Sequence, residues 1–180
     1  TAYRGTFLAH QVATTSPTIA VVAPEFIERI VAIPDAVASI RHFYVAGEHD
    51  AVATGIAELS AAGYQASAWD ELLTAERGVL PEVAAHDLGS IFFTSGTTGL
   101  SKGVMMPHAH MYTFADVCVS LTRLTEADVY MSVGPLFHGN SQFLAAYPAL
   151  IAGCRYVMHE RFSATQWAKQ VREAGATVTN

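Results

Sequence analysis

Thr94-Ser95-Gly96-Thr97-Thr98-Gly99-Leu100-Ser101-Lys102, followed by Gly103, is a hydroxyl- and glycine-rich run that ends on a cation. Glycine admits backbone conformations closed to other residues and lets the main chain approach a ligand, so successive amide hydrogens can converge on one anion. The hydroxyls of Ser95, Thr97 and Thr98 add donors without charge, and Lys102 adds a mobile point charge able to follow phosphate oxygens. Lys102 and Lys169 are the only two lysines in the chain, so this placement is not background. With Ser95, Gly96, Thr97, Thr98, Gly99, Lys102 and Gly103 each drawn at roughly 7%, the pattern arises by accident in about one such chain per million. The chemistry indicated is the wrapping of a polyphosphate. A Walker A loop is excluded, because that pattern carries Gly-Lys-Ser/Thr into a helix, whereas here Lys102 precedes Gly103 and the apolar Val104-Met105-Met106.

Two runs together carry a family resemblance. Residues Phe93 to Val104 resemble Phe-Thr-Ser-Gly-Thr-Thr-Gly-x-x-Lys-Gly-Val, the core phosphate-binding motif of the adenylate-forming superfamily of acyl-CoA synthetases, luciferases and peptide-synthetase adenylation domains. Pro135-Leu136-Phe137-His138-Gly139 is similar to that family's next motif, an aromatic-His-Gly segment at the edge of the acyl pocket. Similarity extends to Thr1-Ala2-Tyr3-Arg4-Gly5 and to Phe162-Ser163-Ala164 with Trp167, in the manner of carnitine- or fatty-acyl-CoA ligases. Two departures are Ser101, where the family often has proline, and the polar Asn140-Ser141-Gln142 after His138-Gly139.

The resemblance implies ATP, Mg²⁺, coenzyme A and a small carboxylic acid as partners. It implies attack of the acid on the α-phosphorus of ATP to give an acyl-adenylate and pyrophosphate, then capture of the acyl group by a thiol. Thr94, Ser95, Gly96, Thr97, Thr98, Gly99 and Lys102 would hold the nucleotide, with Thr97 the candidate for a contact to magnesium. The metal would arrive with ATP, keeping several waters and drawing on few protein ligands. His138 is the candidate catalytic residue and, with Gly139 and Asn140, the candidate contact to the acid. Just past the Gly134-Pro135 break, it is expected to project from a strand end into a cavity, where imidazole can donate to a carboxylate or adenylate oxygen. An amino-acid adenylation domain serving a carrier protein is the alternative within this chemistry. No acidic residue follows His138 closely enough to hold a substrate amine, which favours an apolar acid.

Members of this family are far longer than 180 residues. The chain is therefore expected to be a truncated portion of the large amino-terminal domain, without the later Tyr-Gly-x-Thr-Glu-type motif, the ribose-clamping acid or the small domain bearing the catalytic lysine. Residues 1–180 are expected to form a single α/β unit that is inactive alone, at most a non-catalytic nucleotide-binding module.

Helix and strand signals alternate, as a largely parallel sheet with crossover helices requires. Helices are expected over 5–14, 25–33, 56–62, 69–74, 108–123, 141–152 and 164–174. Strands are expected over 18–23, 41–46, 91–93, 103–106, 129–133, 155–159 and from 177, with a turn at Gly47-Glu48-His49-Asp50. Ile91-Phe92-Phe93 should be a short buried strand delivering the loop, and Gly103 to Met106 the strand leaving it.

A formal charge of −6 with pI about 5.7 and scattered basic residues argues against a nucleic-acid surface. Half the chain is hydrophobic and only 14% is charged, enough apolar material for a core. The most apolar stretch, Phe143 to Gly153, is interrupted by Pro148 and falls short of the ~20 residues that span a bilayer. A cytoplasmic location is the expectation. Cys118 and Cys154 lack CxxC spacing and are assigned to packing. His108 and His110 are assigned to a helix start, since two histidines without an acidic or cysteine partner make a weak metal site. His10, His42, His49, His86 and His159 receive no function, and Asp87 is read as a cap or surface acid.

Overall fold

Ile19-Ala20-Val21-Val22 and His42-Phe43-Tyr44-Val45 are β-branched and aromatic runs with period-two burial, and they pair in parallel as β1 (Ile19–Val22) and β2 (His42–Val45). The computed structural model describes residues 3–94, 99–159 and 161–180. It divides into two compact units, Thr1–Glu82 with Phe93–Val104, and Val83–Phe92 with Met105–Asn180.

In the first unit, α1 (Gly5–Thr15) ends where Ser16 turns left-handed (φ 44°) and donates its amide to Val12. After β1, Pro24 opens a 3₁₀ turn, Pro24–Phe26, at the position where its missing N–H costs nothing. Then follow α2 (Ile27–Val31), β2, α3 (His49–Ala61), β3 (Ala66–Ala68) and α4 (Glu71–Thr74). The sheet order is β1-β2-β3, all parallel. Ile27, Val37, Phe43, Val45 and Leu59 form the fully buried centre of its core, with Leu8 and Val12 of α1 packed against the cluster.

Two elements differ from expectation. The helix expected from residue 56 begins at His49, so His49 and Asp50 lie in its first turn and not in a loop. The strand β3 is made of Ala66-Ser67-Ala68, residues without strand preference, and owes its conformation to its pairing with Phe43, Tyr44 and Val45.

The chain passes between the units along β4 (Leu88–Phe93) and β5 (Gly103–Pro107), which pair as a two-stranded sheet. Their connection is too short for a parallel crossover, so they form a hairpin, a sheet separate from the two parallel ones. β4 is longer than expected, and Leu88 to Phe93 are exposed or half-buried, not buried.

In the second unit, α5 (His108–Thr122) closes on a left-handed Arg123 (φ 55°). It is followed by β6 (Val129–Ser132), a short turn of helix α6 (Gly139–Ser141), a π-helical segment Gln142–Ala146, α7 (Tyr147–Ala152), β7 (Arg155–Met158), α8 (Trp167–Ala174) and β8 (Val178–Thr179). The sheet order is β7-β6-β8, with β6 parallel to both neighbours. The helix expected over 141–152 is thus a composite. An α-helical Leu144 carbonyl would bond the amide of residue 148, but Pro148 has none, and the helix widens to a π turn just before it.

Candidate active site

The hairpin presents the first motif. β4 ends at Phe93 and β5 begins at Gly103, so Thr94 and residues 99–102 lie outside the strands. The amide of Thr94 donates to the carbonyl of Lys102 at 3.0 Å, closing the neck of the loop. Of the residues named for the nucleotide, Ser95, Gly96, Thr97 and Thr98, with the metal contact assigned to Thr97, lie outside the described residues. Thr94, Gly99 and Lys102 are described.

Lys102 is exposed, and no ion pair among the described residues involves it. Its neighbour Ser101 is the opposite, only 4% exposed. Both of its polar ends are satisfied from α1. The Nε2 of His10 donates to the Ser101 carbonyl at 2.9 Å, and the Nε2 amide of Gln11 donates to its hydroxyl at 3.2 Å. The His10 ring also meets Phe93 edge-on, with centroids 6.5 Å apart. Residues to which the sequence assigns nothing therefore hold the stem of the loop. No local pattern signals this, because His10 and Gln11 stand some ninety positions before their partner.

Gly99 bears on what the loop can accept. Its φ is not left-handed, and a Cβ built on it meets only open space. Among the described residues nothing demands glycine there, and a glycine leaves the main chain open to close approach. The described donors fit a polyphosphate: an exposed ammonium with no ion pair among the described residues, and an open-faced glycine in the same loop above a closed neck.

The second motif lies beyond the carboxyl end of β6, the strand with parallel neighbours on both sides, which is where open parallel sheets place ligands. Ser132 closes β6, fully buried. A side chain on Gly134 would collide with the Ser141 hydroxyl, so glycine is needed for the loop to pack against α6. His138 caps α6, and its Nδ1 accepts the amide of Asn140 at 3.2 Å. That bond requires the ring proton of neutral His138 to sit on Nε2. The ring is exposed at a helix start. Gly139 lies against Phe143, and Asn140 accepts through its Oδ1 from Asn180 Nδ2 at 2.6 Å.

Other expectations find their places. His108 and His110 open α5, and Asp87 accepts the amide of Ala84 at 2.8 Å. Cys118 and Cys154 are half-buried free thiols, both pushed up in pKa chiefly by burial. Among the described residues, no group of three His, Cys, Asp or Glu side chains is arranged to hold a metal, and no helix is long and apolar enough to cross a membrane.

A family model described as AMP-binding enzyme matches residues 1–180. The chain belongs to the AMP-binding enzyme family. A crotonobetaine/carnitine–CoA ligase of Salmonella paratyphi B is 40% identical to this AMP-binding chain over 99 residues, which are 55% of it and 19% of the ligase. Apo MbtA of Mycobacterium smegmatis has a TM-score of 0.79 at 24% identity, over 99% of this chain and 32% of its own. An ATP-bound RpMatB-BxBclM chimera has a TM-score of 0.72 at 26% identity, over 99% of this chain and 32% of its own. The AMP-binding chain thus spans 32% of the length of either solved structure, and its matched stretch spans 19% of the ligase. The fold is that of the amino-terminal region of adenylate-forming enzymes.

Proposed function

We propose that the full-length protein is an AMP-forming acid–thiol ligase that activates a carboxylic acid with ATP and passes the acyl group to coenzyme A. The observation that carries this reading is the Thr94–Lys102 neck, which leaves the Lys102 ammonium exposed and unpaired among the described residues. Activation shifts negative charge onto the departing pyrophosphate. Lys102, with Thr94, Ser95, Gly96, Thr97, Thr98 and Gly99, would stabilise that charge by position and electrostatics, without forming a bond. Mg²⁺ would enter with ATP, and Thr97 is the proposed protein contact to it.

His138, Gly139 and Asn140 are proposed to face the acid. Because Nδ1 of His138 is occupied by the Asn140 amide, Nε2–H is the atom left to donate to a carboxylate oxygen. An apolar or fatty acid is proposed as the substrate. The exposed Leu136 and Phe137 precede His138, and no carboxylate follows closely to hold an amine. The name of the carnitine–CoA ligase relative supports coenzyme A as acceptor. A cytoplasmic location follows from the proposed need for ATP and coenzyme A.

Lys102→Ala in the full-length enzyme tests the reading. ATP–pyrophosphate exchange is expected to fall by about a hundredfold, in the range for removal of one preorganised charge-stabilising donor, with the thermal midpoint unchanged. Wild-type exchange rejects it. The 180-residue chain alone, about a third the length of the solved structures, is proposed to bind nucleotide without turnover. Calorimetric titration with MgATP and an assay with fatty acid and coenzyme A check the two halves of that statement.

A further inference from the structure

We infer that His10 and Gln11 are positioning residues for the phosphate loop, holding Ser101 so that the adjoining Lys102 is set in place before any nucleotide arrives. The inference rests on the triphosphate reading of Lys102 and goes beyond it, to a second element of the fold.

The anchor is fixed at both ends. On one side, Leu8 and Val12, four residues apart and so on one face of α1, pack against the core cluster that contains Val22, Phe43 and Leu59. His10 and Gln11 lie between them in sequence and reach the loop stem instead, through the Ser101 carbonyl and hydroxyl. A buried hydroxyl and a buried carbonyl must find partners, and α1 supplies one donor to each. The Phe93 contact of His10 adds the other stem of the same loop. One core-anchored helix therefore touches both stems, Phe93 just before Thr94 and Ser101 just before Lys102.

The residue type at 101 shows what the grip replaces. Proline at that position would fix φ by its own ring. Serine cannot, and leaves the stem free to turn unless tertiary bonds hold it. Gln11 bonds the very hydroxyl that proline would lack. The hydrogen bond takes over the restraint that the ring would give.

The test uses the full-length enzyme. Gln11→Ala and His10→Phe, which keeps a ring beside Phe93 and loses the donor, are each expected to raise the KM for MgATP about three- to tenfold, the range for loss of one hydrogen bond, while the KM for the acid stays within about twofold. His10→Gln, which retains a donor, should restore most of the loss. Ser101→Pro placed in the Gln11→Ala background should return KM to near wild type. Without nucleotide, endoproteinase Lys-C should cut after Lys102 faster in Gln11→Ala and His10→Phe than in wild type, with the thermal midpoint lowered by only a few degrees, about 2–4 °C per kcal/mol.

Four results overturn the inference. If Lys102→Ala leaves pyrophosphate exchange intact, the triphosphate reading fails and this one falls with it. If Lys102→Ala is damaging but Gln11→Ala and His10→Phe show wild-type KM and wild-type cleavage, the reading stands and α1 does not position the loop. If kcat falls with both KM values unchanged, α1 contributes folded fraction only. If Ser101→Pro fails to rescue Gln11→Ala, the bond does not substitute for a restrained φ.

Discussion

Tyr130 donates its phenolic hydroxyl to the Leu144 carbonyl at 2.8 Å, the acceptor that Pro148 leaves without its α-helical donor. Cys118 approaches the same oxygen through its thiol at 3.5 Å. Tyr130 is 3% exposed and belongs to the second core cluster with Leu124, Ala145 and Ala149. A break in one helix is thus repaired from β6 and α5, and the repair ties the segment after the His138 motif to the sheet beneath it. Tyr130→Phe removes the stronger donor and leaves the weaker one. The expected loss is about 1 kcal/mol in chemical denaturation, with the helical circular dichroism signal retained.

The same tyrosine makes an alkaline prediction. Burial, first, and then the neighbouring Cys118, Tyr156 and Cys154 push its pKa up to about 12. The folded state therefore favours the neutral phenol, and this contribution is fully present below the ordinary value of 10.0. It is lost as pH rises through about 12. Denaturation midpoints should fall over that window in the wild type and fall less steeply in Tyr130→Phe.

Asp128 behaves in the opposite sense. Its carboxylate accepts from the Thr177 hydroxyl at 2.8 Å and from the amide and hydroxyl of Thr125 at 2.8 and 2.9 Å, joining the start of β6 to the start of β8. The Thr177 bond, then those from Thr125, hold its pKa below 3.8. The stabilisation is present above the unfolded value and lost as pH falls through the lower folded one. Asp128→Asn should lower the urea midpoint at pH 7 and flatten its acid dependence below pH about 4. An unchanged acid limb in the variant would exclude this linkage.

Gly55 sets two magnitudes against each other. It lies inside α3, where alanine in place of glycine gains about 1 kcal/mol of helix propensity. A Cβ there would collide with Cδ1 of the fully buried Ile27 and press on Val45, and overpacking costs about 1–3 kcal/mol. Overpacking wins, so Gly55→Ala is expected to destabilise. Ile27→Val, which removes the obstructing methyl, should recover part of the loss in the double variant, and additive effects in the cycle would reject the contact.

What was legible in the chain follows from how local each signal is. The strand ends at Phe93 and Gly103 could be read because a glycine- and hydroxyl-rich run between apolar runs punctuates the backbone by itself. Helix ends at Gly153 and Gly175 came within a residue or so for the same reason, each glycine being a left-handed cap. Ala66-Ser67-Ala68 was not legible, because only β2 makes it a strand. The π turn before Pro148 needed Tyr130, and the grip on Ser101 needed α1. Those contacts join residues distant in sequence, and no window on the chain contains both partners.

Gly99 separates what folds the loop from what the loop is for. A side chain built there touches no described residue within 4 Å, and the backbone is not left-handed, so Gly99→Val should leave the denaturation midpoint unchanged to within about 0.5 kcal/mol. If Gly99 lets a triphosphate approach the main chain, the same valine stands in the ligand's way. MgATP affinity of the full-length enzyme should then drop by about tenfold or more, since displacement of the phosphate loses at least one charge-assisted bond. Calorimetric titration reads the drop directly. Wild-type affinity in a stably folded Gly99→Val protein would mean that nucleotide does not meet the loop at this residue, and the open space above it would have no ligand to explain it.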